Sequence, residues 1–376
     1  MKKLWGVVET FWAYILERCN MRVPNWNIEL DEKEAQAVYS SIMTRHLSEG
    51  EYVAELEKEI ATFLGRKHVI CTPSGTCALL LAMMGIGIKP GDEVIVPDLT
   101  FIATAHAPKL LGAKVVLADT REDLPLIDTK CALDLITSKT KAIIPVHLNG
   151  RRADTKELRS ALAGTGIHVI DDACQAFGSG SPENYMGREA EIACYSLSVT
   201  KIMTTGQGGF LATDSDELYY KMKKLKTHGM GIDNIFESNT YPMAGINMKY
   251  PDILASVGLV QLDKIDDKIS NMRVIHKIYE EALSQKSDYE LLAADDDELI
   301  FYPDILCKNM LALRKKLAGF GIQTRPSSTC LHNADYFEKR INYPNATYFS
   351  EHLLYLPGGP DQSIENIKMI VGYMTC

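Results

Sequence analysis

Lys201 is the side chain of this sequence best placed for covalent chemistry. It closes the run Tyr195-Ser196-Leu197-Ser198-Val199-Thr200-Lys201, and the small, glycine-rich stretch Thr204-Thr205-Gly206-Gln207-Gly208-Gly209 follows it. Apolar, strand-like segments flank both, Ile192–Tyr195 before and Phe210–Thr213 after. A lone lysine between two strands is ordinarily a solvated loop residue. Here Ser196 precedes it, and the turn behind it lets backbone approach a ligand closely, because glycine has no side chain and tolerates unusual dihedrals. A lysine held in such a place is suited to form a Schiff base with an aldehyde, which requires a neutral, positioned amine.

A second candidate is Ser74-Gly75-Thr76-Cys77-Ala78-Leu79, which opens a helical pattern. Unpaired N–H groups and a partial positive charge make a helix N-terminus a good seat for phosphate. Taken alone, the serine and threonine read better as ordinary caps.

These residues need elements to hold them. Strand-like runs lie at His68–Cys71, Glu93–Pro97, Lys114–Ala118, Ala142–Val146 and His168–Ile170. Helical spacing appears between them, at Thr76–Met84, Thr104–Leu111, Cys131–Ile136 and Thr155–Ala163. It is also present earlier, at Leu30–Thr44 and Glu51–Leu64, where Val53, Leu56, Ile60 and Phe63 share a face. Alternating strands and helices imply an α/β fold with a mostly parallel sheet covered on both faces. Polar clusters follow several strands: Thr72–Thr76, Asp98–Phe101, His147–Gly150 and Asp171–Gln175. Open α/β sheets place their ligand sites at the carboxyl ends of strands. One long helix, Pro251–Leu283, is expected to lead into a smaller C-terminal domain, in which Leu311–Phe320 looks helical and Gln362–Met374 closes the chain.

The chain has 376 residues, 46% of them hydrophobic and 24% charged, ordinary values for a globular protein and long enough for two domains. A net charge of −9 argues against nucleic acid as a partner, since binding a phosphate backbone needs a basic face. The 9 cysteines contain no Cys-x-x-Cys pair, so no metal site is expected. Cys71, Cys77, Cys174 and Cys194 read as reduced core residues of a cytoplasmic protein.

The stretch around Lys201 resembles the lysine motif of the DegT/DnrJ/EryC1/StrS family of pyridoxal-phosphate (PLP) sugar aminotransferases, Ser-Phe-x-x-x-Lys followed by a glycine-rich turn. The resemblance extends over roughly residues 24 to 376. It implies the aminotransferase fold of type I: a large PLP-binding domain, residues 23–255, and a small C-terminal α+β domain, residues 256–376, after an N-terminal extension at 1–22. It also implies roles. Lys201 would hold PLP covalently and carry protons. Gly75, Thr76 and Ser196 would bind its phosphate, and Phe101 would stack on its ring. Asp172, in Asp171-Asp172-Ala173-Cys174-Gln175, would keep the pyridine nitrogen protonated. Gln175 would reach the 3-hydroxyl side. Asn247 would reach the phosphate of a neighbouring subunit, making a homodimer with shared active sites.

Departures from the family pattern are visible. Lys249 stands where arginine is usual, which turns a bidentate grip into a point charge. Gln207 replaces a common glutamate and Asn149 a frequent tyrosine; both are expected on the sugar-binding side. The resemblance implies a nucleotide-diphosphate keto-sugar as acceptor and L-glutamate as donor, released as 2-oxoglutarate. The turn after Lys201 is similar to that of members acting at sugar C4, with C3 action and a non-catalytic scaffold as alternatives. Dehydratases of the family carry histidine in place of the lysine, which Lys201 argues against.

Residues 1–20 hold Trp5, Phe11 and Trp12 in an apolar run too short to span a membrane and interrupted by Glu9. The segment is expected to be an amphipathic helix docked on the protein, in preference to one lying on a membrane surface.

Overall fold

The computed structural model describes residues 22–230, 241–284, 286–337 and 342–375, so the helix expected over residues 1–20 lies outside the described residues. Two helices lead in, α1 (Glu32–Met43) and α2 (Glu51–Leu64). Asp31 caps α1 with a reciprocal bond to Glu34, and Gly65 ends α2 in the left-handed conformation. The alternating section follows as β1 (His68–Thr72), α3 (Gly75–Gly85), β2 (Glu93–Pro97), α4 (Ala103–Leu110), β3 (Lys114–Ala118), α5 (Thr129–Asp134), β4 (Thr140–Ile143), α6 (Thr155–Ala161) and β5 (His168–Asp172). Strands β6 (Ile192–Ser196) and β7 (Gly209–Thr213) and helix α7 (Asp216–Leu225) complete this part.

The sheet has seven strands in the order β1-β7-β6-β5-β4-β2-β3. Strands β2 to β6 pair in parallel, and β7 runs antiparallel to both neighbours. The near-continuous burial of β2 and β7 fits strands covered on both faces. Edge strand β1 leaves the Cys71 N–H and C=O without a ladder partner. Buried Glu57 accepts the first at 2.8 Å and buried Lys226 donates to the second at 2.9 Å. Those side chains close an edge that would otherwise be a pairing liability.

Two sequence expectations change. The strand expected over 142–146 ends at Ile143, because Pro145 has no N–H to continue the ladder; Val146 returns as an isolated bridge to Asp172. The long helix expected over 251–283 is two helices, α8 (Asp252–Asp263) and α9 (Ile265–Leu283), broken at Lys264. The halves bury their apolar faces against different partners: α8 packs on α1 and α2, and α9 on the last helix, α12 (Ile364–Thr375).

Beyond α9, a four-stranded antiparallel sheet forms from β8 (Tyr289–Leu291), β9 (Asp304–Cys307), β10 (Arg325–Pro326) and β11 (Leu353–Tyr355), in the order β10-β11-β9-β8. Helices α10 (Met310–Gly319), α11 (Pro344–His352) and α12 accompany it. A second apolar cluster sits here, and Val23, the start of the large domain in the sequence reading, is buried in it. A fully buried joint ties the two sheets. Arg151 grips Asp304 with two parallel bonds of 2.7 and 2.8 Å, and Asn149 donates to the same carboxylate at 2.8 Å. Removing one partner of such a buried pair costs about 3–5 kcal/mol. The joint fixes where β10 and β11 lie relative to the carboxyl ends of the parallel strands.

Candidate active site

A cavity of about 250 Å³ opens at those strand ends. It brings together Gly75, Thr76, Phe101, Asp172, Gln175, Ser196 and Lys201, residues spread over more than a hundred positions. Asn247 is not among its lining residues; it is exposed and forms an isolated bridge to Thr227.

One wall is the start of α3. The Ser74 side chain accepts the Cys77 amide at 3.1 Å, leaving the amides of Gly75 and Thr76 in the first turn without intrahelical acceptors. Strand β7 comes close here: a Cβ on Gly209 would collide with the Gly75 nitrogen and the Ser74 carbonyl. A Cβ on Gly75 would lie 2.8 Å from the Cys174 sulfur and 3.0 Å from the Ser196 Cβ. The glycines therefore keep a helix terminus and a serine hydroxyl together at the cavity.

The opposite end is formed by β5. Both oxygens of the buried Asp172 carboxylate are held: one accepts the Thr104 hydroxyl at 2.7 Å, the other the Cys174 amide at 3.1 Å. Each retains a lone pair for a ligand. Gln175 accepts the Asn149 amide at 3.0 Å through its side-chain oxygen, so its NH₂ group remains available.

Lys201 lies in the loop between β6 and β7. Burial holds its amine below the ordinary lysine value, opposed by Cys174 and Asp172 and helped by Arg325. Such a shift enlarges the neutral, nucleophilic fraction. Burial also pushes the Cys174 thiol well above its usual range, and Asp172 adds to that, so it stays protonated and does not compete as a nucleophile. Phe101 is 53% exposed, with its ring at the cavity, and is not the core residue its type suggests.

The far wall could not be read from the sequence. Tyr302, Arg325, Ser328 and Tyr355 line it, all contributed by the second sheet and the segments beside it. Gln207 faces the cavity as expected, whereas Asn149 does not. Asn149 is buried at φ 55°, donates to the Tyr302 carbonyl at 2.8 Å and accepts the Tyr302 amide at 2.8 Å. A short amide suits that left-handed backbone and satisfies both peptide groups at once. Cys174, expected in the core, lines the cavity. Outside the cavity, Asp98, Cys330 and His332 bring potential metal ligands together, but Asp98 already accepts the His332 backbone amide at 2.9 Å and its ring nitrogen at 2.7 Å.

Compared with known proteins, residues 28–375 match the DegT/DnrJ/EryC1/StrS aminotransferase family. The chain belongs to that family. It is a PLP-dependent aminotransferase, and the cavity fits that cofactor: a helix terminus and a hydroxyl for its phosphate, an aromatic face, a carboxylate at depth and a lysine of lowered basicity. The aminotransferase is 36% identical over 257 residues to a protein named GDP-perosamine synthase from Caulobacter vibrioides, covering 68% of each chain. It is 30% identical over 353 residues to GDP-perosamine synthase of Escherichia coli O157:H7, covering 93% and 96%. Among solved structures, DesV of S. venezuelae superposes with a TM-score of 0.87 at 26% identity, covering 94% of this chain and 98% of that one. No described helix of the aminotransferase is long and apolar enough to cross a membrane.

Proposed function

We propose that this aminotransferase moves an amino group from L-glutamate to the C4 carbonyl of a nucleotide-linked keto-sugar. The observation that carries the reading is the cavity that joins Lys201, Asp172 and the α3 terminus with a guanidinium, Arg325, on its far wall. Among the described residues Arg325 has no carboxylate partner within ion-pair distance. The relatives' names make a GDP-linked sugar the first acceptor to test.

Bound here, PLP supplies an aldehyde that exchanges an amino group and a ring that stores the electron pair left when a proton leaves carbon. The protein residues do the rest. The amides of Gly75 and Thr76 and the Ser196 hydroxyl hold the phosphate, Phe101 covers the ring, and Gln175 donates to its hydroxyl side. Asp172 keeps a proton at the ring nitrogen. Lys201 binds the cofactor at rest and, once displaced, carries the proton to and from the donor's α-carbon as general base and acid. Arg325 receives a donor carboxylate, a geometry that guanidinium favours. Donor and acceptor use the same space in turn, so kinetics are ping-pong.

A half-reaction screen tests this. Glutamate should bleach the holoenzyme's visible band, and a GDP-linked 4-keto sugar should restore it where 3-keto isomers do not. No bleaching by glutamate would favour a non-catalytic scaffold; restoration by 3-keto sugars alone would move the reaction to C3.

The same reading takes Asn247 and Lys249 to the phosphate of a second copy of the chain. Both lie outside the cavity formed by their own chain, on a stretch where Ile246 and Tyr241 are exposed. Asn247→Ala mixed with Lys201→Ala should regain activity, since one site of each mixed dimer then carries neither defect. No recovery, with subunit exchange demonstrated, would place both residues in one site.

A further inference from the structure

Asp172 is not held by backbone alone. Thr104, on α4, lies fully buried with its Oγ1 2.7 Å from Asp172 Oδ2 and 3.0 Å from the Phe101 carbonyl. Thr100 Oγ1, also buried, lies 3.1 Å from Thr104 Oγ1. Thr104 has one proton and three acceptors in reach, Asp172, the Phe101 carbonyl and Thr100. The shorter contact to a carboxylate takes it, because hydrogen bonds to ionised groups are the stronger ones. Thr104 Oγ1 is then left as acceptor, and Thr100 becomes its donor. The hydroxyls are ordered in one direction, Thr100 to Thr104 to Asp172.

We propose that Thr100 and Thr104 form a two-hydroxyl relay that fixes the plane of the Asp172 carboxylate, so that its free lone pairs stay aimed at the protonated ring nitrogen of the cofactor. The inference rests on the role given to Asp172 above. Thr104 is a positioning residue: it acts only through Asp172. Hydrogen bonds favour the charged form of the group that accepts them, and polarised chains strengthen the terminal bond. Loss of the Thr104 hydroxyl frees the carboxylate to rotate, leaves Thr100 without its acceptor, and weakens the contact that holds the ring proton in place.

The test uses full-length holoenzyme reconstituted with PLP labelled at the ring nitrogen and read by nitrogen NMR. Thr104→Val preserves shape but cannot donate. It should move the resonance toward the unprotonated pyridine position and lower kcat roughly 10-fold to 100-fold, the usual weight of a hydrogen bond to a charge. Cofactor affinity should stay near wild type, stability should fall by no more than the cost of one unsatisfied buried hydroxyl, and Thr104→Ser should restore both the resonance and kcat. A Thr104→Val resonance at the wild-type position overturns the relay, as does a loss of stability without a change in the resonance. Asp172→Asn separates the two levels. If it moves the resonance while Thr104→Val does not, only the relay fails; if it also leaves the resonance in place, the role of Asp172 fails and the relay with it.

Discussion

The two faces of the central sheet meet different environments at the end of β5. Successive side chains of a strand point to opposite faces, so Asp171 and Asp172 part company although they are neighbours. On the closed face, Asp171 accepts the His147 ring at 2.9 Å and the Thr155 hydroxyl at 2.7 Å. His147 accepts the Ala153 amide at its other nitrogen, 3.0 Å away, so its ring proton is the one given to Asp171. Every partner there is internal. On the open face, Asp172 is held just as firmly by Thr104 and the Cys174 amide, but its remaining lone pairs look into the cavity. Two buried aspartates with comparable support therefore serve differently. What separates them is whether the environment is complete without a ligand.

The contrast breaks or sharpens under mutation. The largest effect is expected from the open face. Lys201→Ala should lower turnover by about four orders of magnitude, because a covalent group and a proton carrier are lost together. The melting temperature should hold or rise, since a partly buried amine is removed. Borohydride reduction and peptide mapping should find pyridoxyl mass on Lys201 in the wild-type protein and none in the variant. Measurable transamination by the variant would contradict the assignment of chemistry to this face.

A smaller effect, of another kind, is expected from the closed face. Asp171→Ala leaves the His147 and Thr155 donors buried without an acceptor. Stability should fall by about 3 kcal/mol in urea titration, the weight of two unsatisfied buried groups. Turnover per folded, cofactor-loaded molecule should stay within about threefold. If turnover collapses while the urea midpoint holds, the closed face takes part in the reaction and the distinction between the two aspartates fails.

The sequence carried much of this arrangement. Phe101, Asp172, Gln175 and Lys201 belong to runs that combine a strand's apolar pattern with a polar cluster just past its end, a signal local to a few residues, and the resemblance to the aminotransferase family singled them out within those runs. The α3 terminus at Ser74-Gly75-Thr76 was legible for the same reason. The cavity places all of them together because parallel strands joined by crossovers bring their carboxyl ends to one side.

Other features exist only in the folded chain. Arg325, Tyr302 and Tyr355 reach the cavity because the Arg151–Asp304 joint sets one sheet against the other, and no local pattern encodes a contact 153 positions apart. The same holds for Thr104 and Asp172, 68 positions apart. Asn149 was readable as a departure from a family pattern, yet its place in a buried joint depends on the backbone of Tyr302. The break at Lys264 and the end of β4 at Ile143, ahead of Pro145, follow from packing partners and from one missing N–H. Local pattern, then, determined the elements and the residues at their ends. Tertiary packing decided which of those residues face a ligand and which face each other, because burial and hydrogen-bond satisfaction depend on neighbours distant in the chain.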